Sequence, residues 1–331
     1  MFEAETCSVY ARYFGYSRNG AYVSRERSLT LAIEQKLNLC VLCCNYYILS
    51  IKTKNNRNIM NRWLINLLLI SCVWIWGGWL KSVDASPLQV AYSSEQQISQ
   101  GEKIAKKAFL AAQKGDFATA ETYWTTLVDE FPENPAVWSN RGNVRIGQYK
   151  LNEAIADYNR SIEIAPEYPD AYLNRGIAYE GKGLWERAIA DYNRVLAITP
   201  QDPVALNNRG NAKAGQQKWQ DALDDYQQAA NIAPNFPMAR GNASLIQYQM
   251  GDRDEAIRNM RNLVRKYPMY SDMRAALAAA LWVEGKQGEA ESNWVAAVGL
   301  DNRYQDLDWI ENIRRWPPSM IRALERFLKL N

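Results

Sequence analysis

Leu184, Ala188, Tyr192, Val195 and Leu196 recur at steps of three to four residues, with charged and amide residues between them. That stripe predicts a half-buried helix from about Trp185 to Ile198. Thr199-Pro200 stops it, because proline lacks an N–H and clashes with the preceding turn. Upstream, Pro169-Asp170 opens an earlier helix, and Gly181 and Gly183 end it and make the turn. The same pattern returns along the chain. Ala120, Ala154, Ala188, Ala222, Ala256 and Ala290 lie 34 residues apart, and Pro132, Pro166, Pro200, Pro234 and Pro268 keep the same step. This period is too long for a coiled coil and too regular for an ordinary globular core. It marks stacked helical hairpins, each touching only its neighbours. With each unit ending two residues after its proline, the repeats are 101–134, 135–168, 169–202, 203–236, 237–270 and 271–304.

The small residues have a packing reason. Gly142, Gly176 and Gly210 share one position in the first helix of a hairpin, and the alanines share one in the second. Small side chains let paired helices approach closely. Trp124, Tyr158, Tyr192, Tyr226, Met260 and Trp294, one turn further on, fill the space between them. After the sixth repeat, Leu307, Ile310 and Ile313 suggest one helix, Pro317-Pro318 breaks it, and Ser319 is placed to cap another. That last helix carries Ile321, Leu324, Phe327 and Leu328 on one face. Such a tail suits the closing element that a solenoid needs over its last face.

This spacing resembles the tetratricopeptide repeat over about 101–304. The second repeat offers Trp138, Gly142, Ala154, Tyr158 and Pro166. The third offers Tyr172, Gly176, Tyr179, Ala188, Tyr192 and Pro200, and the fourth Leu206, Gly210, Ala222, Tyr226, Ala229 and Pro234. The flanking units depart from the pattern: Ala108, Ser244 and Ala278 replace the glycine, and Asn302 replaces the last proline. The resemblance implies an all-α, right-handed superhelical solenoid whose concave groove binds peptides or partner helices. The tail is also similar to those of some cyanobacterial and plastid members, which points toward proteins assisting membrane-complex assembly.

The N-terminal third is different. Leu64 to Leu80 is a 17-residue uncharged apolar run between Arg62 and Lys81. It lies between the length of a signal-peptide core and that of a membrane span. Val83-Asp84-Ala85 has the small-x-small form of a cleavage site, so a cleaved signal and a retained anchor both fit, with 86–100 as a linker. Leu69-Ile70-Ser71-Cys72 has the form of a lipobox, but the apolar stretch after it is unlike the polar tether of a lipidated cysteine. Lys52, Lys54, Arg57 and Arg62 outweigh Lys81, which puts the repeats on the non-cytoplasmic side, in a periplasm or thylakoid lumen. Met60-Asn61-Arg62 before an apolar core has the form of a signal start, so residues 1–59 read as a poorly structured extension upstream of the true beginning. Cys40, Cys43 and Cys44 form a C-x-x-C-C cluster with no second pair to complete four zinc ligands.

Charge and chemistry narrow the function. The chain has 39 Lys+Arg and 36 Asp+Glu among 331 residues, and no histidine. Residues 86–331 are near neutral, unlike a groove built for phosphates. They carry no disulfide, since the five cysteines all lie at or before Cys72. Without histidine the most common general base is missing, and nothing singles out a carboxylate pair. The expectation is no enzyme, no cofactor, no metal and no nucleic acid. Asn140, Asn174, Asn208 and Asn242 share the sixth position of four successive repeats, with Asn143 and Asn211 one turn further on. Amides offer both donor and acceptor to a ligand's backbone. They are the candidate groove residues for a protein or peptide partner, and satisfaction of neighbouring helix groups is the alternative use of the same amides. The family's clamp for C-terminal carboxylates is incomplete here, with Ser139, Val204 and Asn208 at its positions. Arg258, Arg261 and Arg265 line one helix face and read as solvated surface rather than a lipid contact.

The expected function is an interaction scaffold that assists assembly of a membrane-associated complex. The membrane contact would run through 64–80 if that run is uncleaved. The alternative is a peripheral structural subunit that binds through its convex face. Overpacking at a fixed alanine tests the register: Ala188→Leu should lower stability by about 1–3 kcal/mol in a thermal melt, and an unchanged melt would count against the alignment of repeats.

Overall fold

The computed structural model describes residues 86–329. The apolar run 64–80, the extension 1–59 and the cysteine cluster lie outside the described residues. Two units divide at Lys103 and Ile104. Of the first, the described part is helix, the start of α1 (Ser86–Gln113). Residues 86–100, expected as a linker, are thus helical: between Pro87 and Gly101 there is neither proline nor glycine to interrupt the turn. Among the described residues no helix is long and apolar enough to cross a membrane.

The second unit is a run of antiparallel helix pairs. After α1 come α2 (Phe117–Glu130), α3 (Pro135–Gly147), α4 (Leu151–Ile164), α5 (Pro169–Gly181) and α6 (Trp185–Ile198). They are followed by α7 (Pro203–Gly215), α8 (Trp219–Ile232), α9 (Pro237–Met250), α10 (Arg253–Lys266), α11 (Ser271–Val283) and α12 (Gln287–Leu300). No strand occurs among the described residues. From α2 to α12 each helix packs on the next in chain order. The architecture is the all-α solenoid expected from the period. Proline occupies the first turn of α3, α5, α7 and α9, where its missing N–H costs nothing.

Two close approaches lock the stack. Within a hairpin, a Cβ on Gly142, Gly176 or Gly210 would lie 2.6, 2.5 or 2.7 Å from a ring carbon of Tyr158, Tyr192 or Tyr226. The six fixed alanines are fully buried. Between hairpins, Gly147 lies against Phe117, Gly181 against Leu151 and Gly215 against Trp185, where an added Cβ would approach to 2.7, 3.0 and 2.8 Å. Charge follows the same register. Arg141, Arg175 and Arg209 each grip a buried aspartate of the same hairpin (Asp157, Asp191, Asp225) through two nitrogens. Arg175 and Arg209 also donate to Asn159 and Asn193 of the preceding hairpin. Losing one partner of such a buried pair typically costs about 3–5 kcal/mol. Ala243 and Asn259 stand where the next arginine and aspartate would be, so the ladder stops at the fifth repeat.

The tail differs from the expected single helix before the prolines. A 3-10 turn (Asn302–Gln305) leads to a short helical turn (Leu307–Trp309) and a π-helical turn (Ile310–Arg314). The last helix, α13, runs Pro318–Leu328 and begins on the proline itself. Ser319 is therefore inside the first turn rather than its cap, and its N–H donates to Gln249 Oε1 at 2.8 Å. Met320, Leu324 and Phe327 of α13 are buried in the core of the fifth and sixth repeats, with Trp282 and Trp294 edge-on to Phe327. This is the closing element the sequence called for.

Every hairpin turn passes through one left-handed residue at the same register: Gly115, Tyr149, Gly183, Gln217, Gly251 and Gly285. Tyr149 sits at φ 62° with its side chain 65% exposed. A side chain in that region costs about 1–2 kcal/mol, partly offset by glycine's larger unfolded-state entropy. Tyr149→Gly should raise stability by about 0.5–1 kcal/mol in chemical denaturation; a loss instead would show that the tyrosine packs.

Candidate functional site: the first-helix face and the tail

Val204, Asn208, Asn211 and Gly215 lie at i, i+4, i+7 and i+11, one stripe of α7; Met238, Asn242 and Leu245 repeat it on α9 and Asn174 and Ile177 on α5. Asn211, Gly215, Asn242 and Leu245 line a cleft of about 500 Å³, so one end of this stripe borders that cleft. Ile177, Val204 and Met238 on it are 38, 41 and 49% exposed, well above a core residue.

The six asparagines do not form one set. Asn143 Oδ1 accepts the hydroxyl of Tyr158, and Asn211 Oδ1 that of Tyr226, both at 2.8 Å. Asn242 is buried; it donates to Asn207 and Asn211 and accepts from Arg314 at 3.1 Å. Asn208 accepts from Asn207 at 3.2 Å. Asn140 is buried and Asn174 half-buried. Asn143, Asn211 and Asn242 therefore satisfy neighbouring groups of the stack. Asn140, Asn143, Asn174 and Asn208 lie outside the cleft that Asn211 and Asn242 line. Two arginines of the stripe are paired with carboxylates, Arg258 with Glu255 and Arg261 with Glu289 through two nitrogens, while Arg265 donates to the neutral amide of Asn262.

The remaining wall of the cleft is the tail. Arg314 is clamped on Asp272, and Trp316 Nε1 donates to the same carboxylate at 2.9 Å. Between them, Arg315 is left-handed at φ 58° and reaches back to the third repeat. Its Cζ stands 5.2 Å over the Trp185 ring, and its Nη1 is 3.8 Å from Glu180 Oε2. Glu180 is buried and accepts a short hydrogen bond from the Tyr192 hydroxyl. Burial pushes its carboxyl up to about 7, against the opposing pull of Tyr192 and Arg315. Burial and then the neighbouring Glu180 push the Tyr192 phenol up in turn.

The sequence reading missed Glu180, Trp185, Arg314 and Arg315. One signal for Glu180 was present. Repeats two and four carry Asn143 and Asn211 to take the tyrosine hydroxyl, whereas the third has Ile177 there. An isoleucine cannot accept, so the buried hydroxyl turns to Glu180 one turn further on.

The fold and face define a helical-repeat scaffold with a groove. Tetratricopeptide repeat families match residues 142–183, 169–202, 203–236 and 242–302. Across residues 142–302 the chain is a tetratricopeptide repeat protein. Among solved structures, a tetratricopeptide repeat protein from Parabacteroides merdae aligns at 21% identity, covering 70% of this chain and 100% of its own, with a TM-score of 0.50. A thermophilic TPR protein from Thermus thermophilus aligns at 20% identity over 55% of this chain and 99% of its own, with a TM-score of 0.49. YrrB, a TPR protein with an unusual peptide-binding site, aligns at 18% identity over 55% and 94%, with a TM-score of 0.42. Curated proteins give no significant match. The matching families are repeats, none of them catalytic, and they support a protein–protein interaction scaffold.

The buried acid gives a pH test. Below about pH 4.5 Glu180 is protonated both folded and unfolded; between there and about 7 the unfolded chain ionises first. Stability is thus highest in acid on this account and falls as pH rises toward 7, by on the order of 3 kcal/mol. Glu180→Gln should remove that slope in urea titrations at pH 4.5, 6 and 8, whereas parallel curves for the two proteins would contradict it.

Proposed function

We propose that the first-helix face of repeats two to five holds an extended segment or helix of a partner protein, and that the chain assists assembly of a membrane-associated complex from the non-cytoplasmic side. The observation carrying the reading is the mixed stripe on α5, α7 and α9. Exposed Ile177, Val204 and Met238 alternate with the amides Asn174 and Asn208 along one face. Apolar side chains supply area that a ligand covers, and amides fix the backbone of an extended segment in both directions. Asn140 and Asn143 extend that face toward the N-terminal repeats, and Asn211 and Asn242 continue it into the cleft. Arg62 and the apolar run to Leu80 support the placement beyond a membrane.

Asn174 and Asn208 separate this role from binding through the convex face. Each amide contact is worth about 1 kcal/mol, so Asn174→Ala with Asn208→Ala should weaken partner capture by about tenfold or more. The measurement is crosslinking pull-down from the native membrane fraction with the full chain, alongside circular dichroism for retained helix. Undiminished capture by the folded double variant would overturn groove binding and favour the convex face.

A further inference from the structure

Arg315 is the point where the tail touches the groove's own chemistry. Its flanks are locked: Arg314 and Trp316 both bind Asp272, and α13 is seated in the core. The side chain between them is held less tightly. It is 33% exposed, its nearest approach to Glu180 is 3.8 Å, longer than a hydrogen bond, and its backbone is at φ 58°. What it meets is a surface suited to a guanidinium. The Trp185 face lies beneath it, held flat because Gly215 has no side chain to displace the indole. The Glu180 carboxyl stands at the edge, with Oε1 fixed by Tyr192 and Oε2 turned to the arginine. Asn211 and Asn242 line the same cleft. A planar cation stacked on an aromatic ring and facing a carboxylate is an arrangement that arginine fills better than lysine.

We propose that Glu180 and Trp185 form a receptor for an arginine side chain, occupied in this chain by Arg315, and that an arginine of the partner segment takes its place. The identity of that partner rests on the groove reading above; the receptor itself does not. Exchange requires only that the Arg315 side chain swing out, since the turn stays pinned on Asp272. The tail thereby sets a threshold: a segment lacking arginine meets an already satisfied carboxylate, whereas one carrying it can extend from the Asn174–Asn208 stripe into the cleft.

The test vacates the receptor without straining the turn. Arg315→Gly removes the side chain where glycine tolerates the positive φ. The full-length variant is titrated at pH 8 with N-acetyl-arginine amide, its citrulline analogue serving as the uncharged isostere. Tryptophan fluorescence and the thermal midpoint are the readouts. The arginine probe should bind Arg315→Gly saturably and at least tenfold tighter than it binds the wild type, and should raise the variant's midpoint. Adding Glu180→Gln should abolish both effects, and citrulline amide should show neither. Arg315→Gln, which is uncharged and two atoms shorter but keeps a polar side chain, provides the same comparison if the glycine variant is poorly folded. No saturable binding to either variant, or equal binding with and without Glu180, would overturn the receptor. Because these probes need no partner, failure here alongside loss of capture by the Asn174 and Asn208 variant would sink only this inference. Probe binding alongside undiminished capture would sink only groove capture.

Discussion

The contact between a glycine backbone and a tyrosine ring governs the middle of this protein. At Gly142, Gly176 and Gly210 the two helices of a hairpin meet so closely that a single Cβ would enter the ring of Tyr158, Tyr192 or Tyr226. Interiors at crystal-like density have no slack for that atom. The outer hairpins depart from this contact. Where the glycine is replaced by Ala108, Ser244 or Ala278, the facing residue is Trp124, Met260 or Trp294, not tyrosine. Only Ser244 with Met260 trades a larger first-helix residue for a slimmer partner; Trp124 and Trp294 instead turn edge-on to Phe109 and Phe327.

Burying a tyrosine ring there also buries its hydroxyl, and a buried hydroxyl demands a partner. That demand falls on the groove-side stripe of the first helix. Asn143 and Asn211 meet it in two repeats; in the third, Ile177 cannot, and Glu180 does. The acid in the cleft is thus a consequence of core packing, not an addition to it. When a carboxyl at that depth ionises, a nearby cation favours the charged form, and the tail places Arg315 there. Packing in the hairpin, polarity of the groove and the path of the C-terminus form one causal sequence.

The hairpins were legible because their causes are local and repeated. Pro169, Gly183 and Pro200 punctuate the third repeat, and α6 runs Trp185–Ile198 as its apolar stripe indicated. Asn174, Asn208 and Asn242 were legible as one register position on the first helices. What those amides do was not, because it depends on where a tyrosine hydroxyl from the other helix ends. The tail was legible only as a cap. Its return to Glu180 joins residues far apart in sequence, at a place where the 34-residue period has stopped and no repetition flags the contact. The π-helical turn Ile310–Arg314 is likewise set by what its residues reach, Asp272 and Asn242, more than by their own propensities.

The end of the arginine ladder explains why the tail enters where it does. In the second, third and fourth repeats the second-helix aspartate at one register (Asp157, Asp191, Asp225) is paired with an arginine of its own hairpin, and glycines at 147, 181 and 215 close the seam to the previous one. The fifth repeat has neither device. Ala243 and Asn259 carry no charge pair, and Gln249 stands where the glycine would be. Trp219 is consequently left on the wall of the cleft instead of lying under a glycine, and Gln249 is available to hold the first turn of α13. In the sixth repeat Asp272 is a buried acid, and the arginine of its own hairpin, Arg274, donates to Pro268 and Asn293 instead, so Asp272 draws Arg314 from the tail. Departures from the repeat consensus in these two units therefore act together. They end the periodic interface and expose polar anchors, and those anchors bend the C-terminus back across the groove.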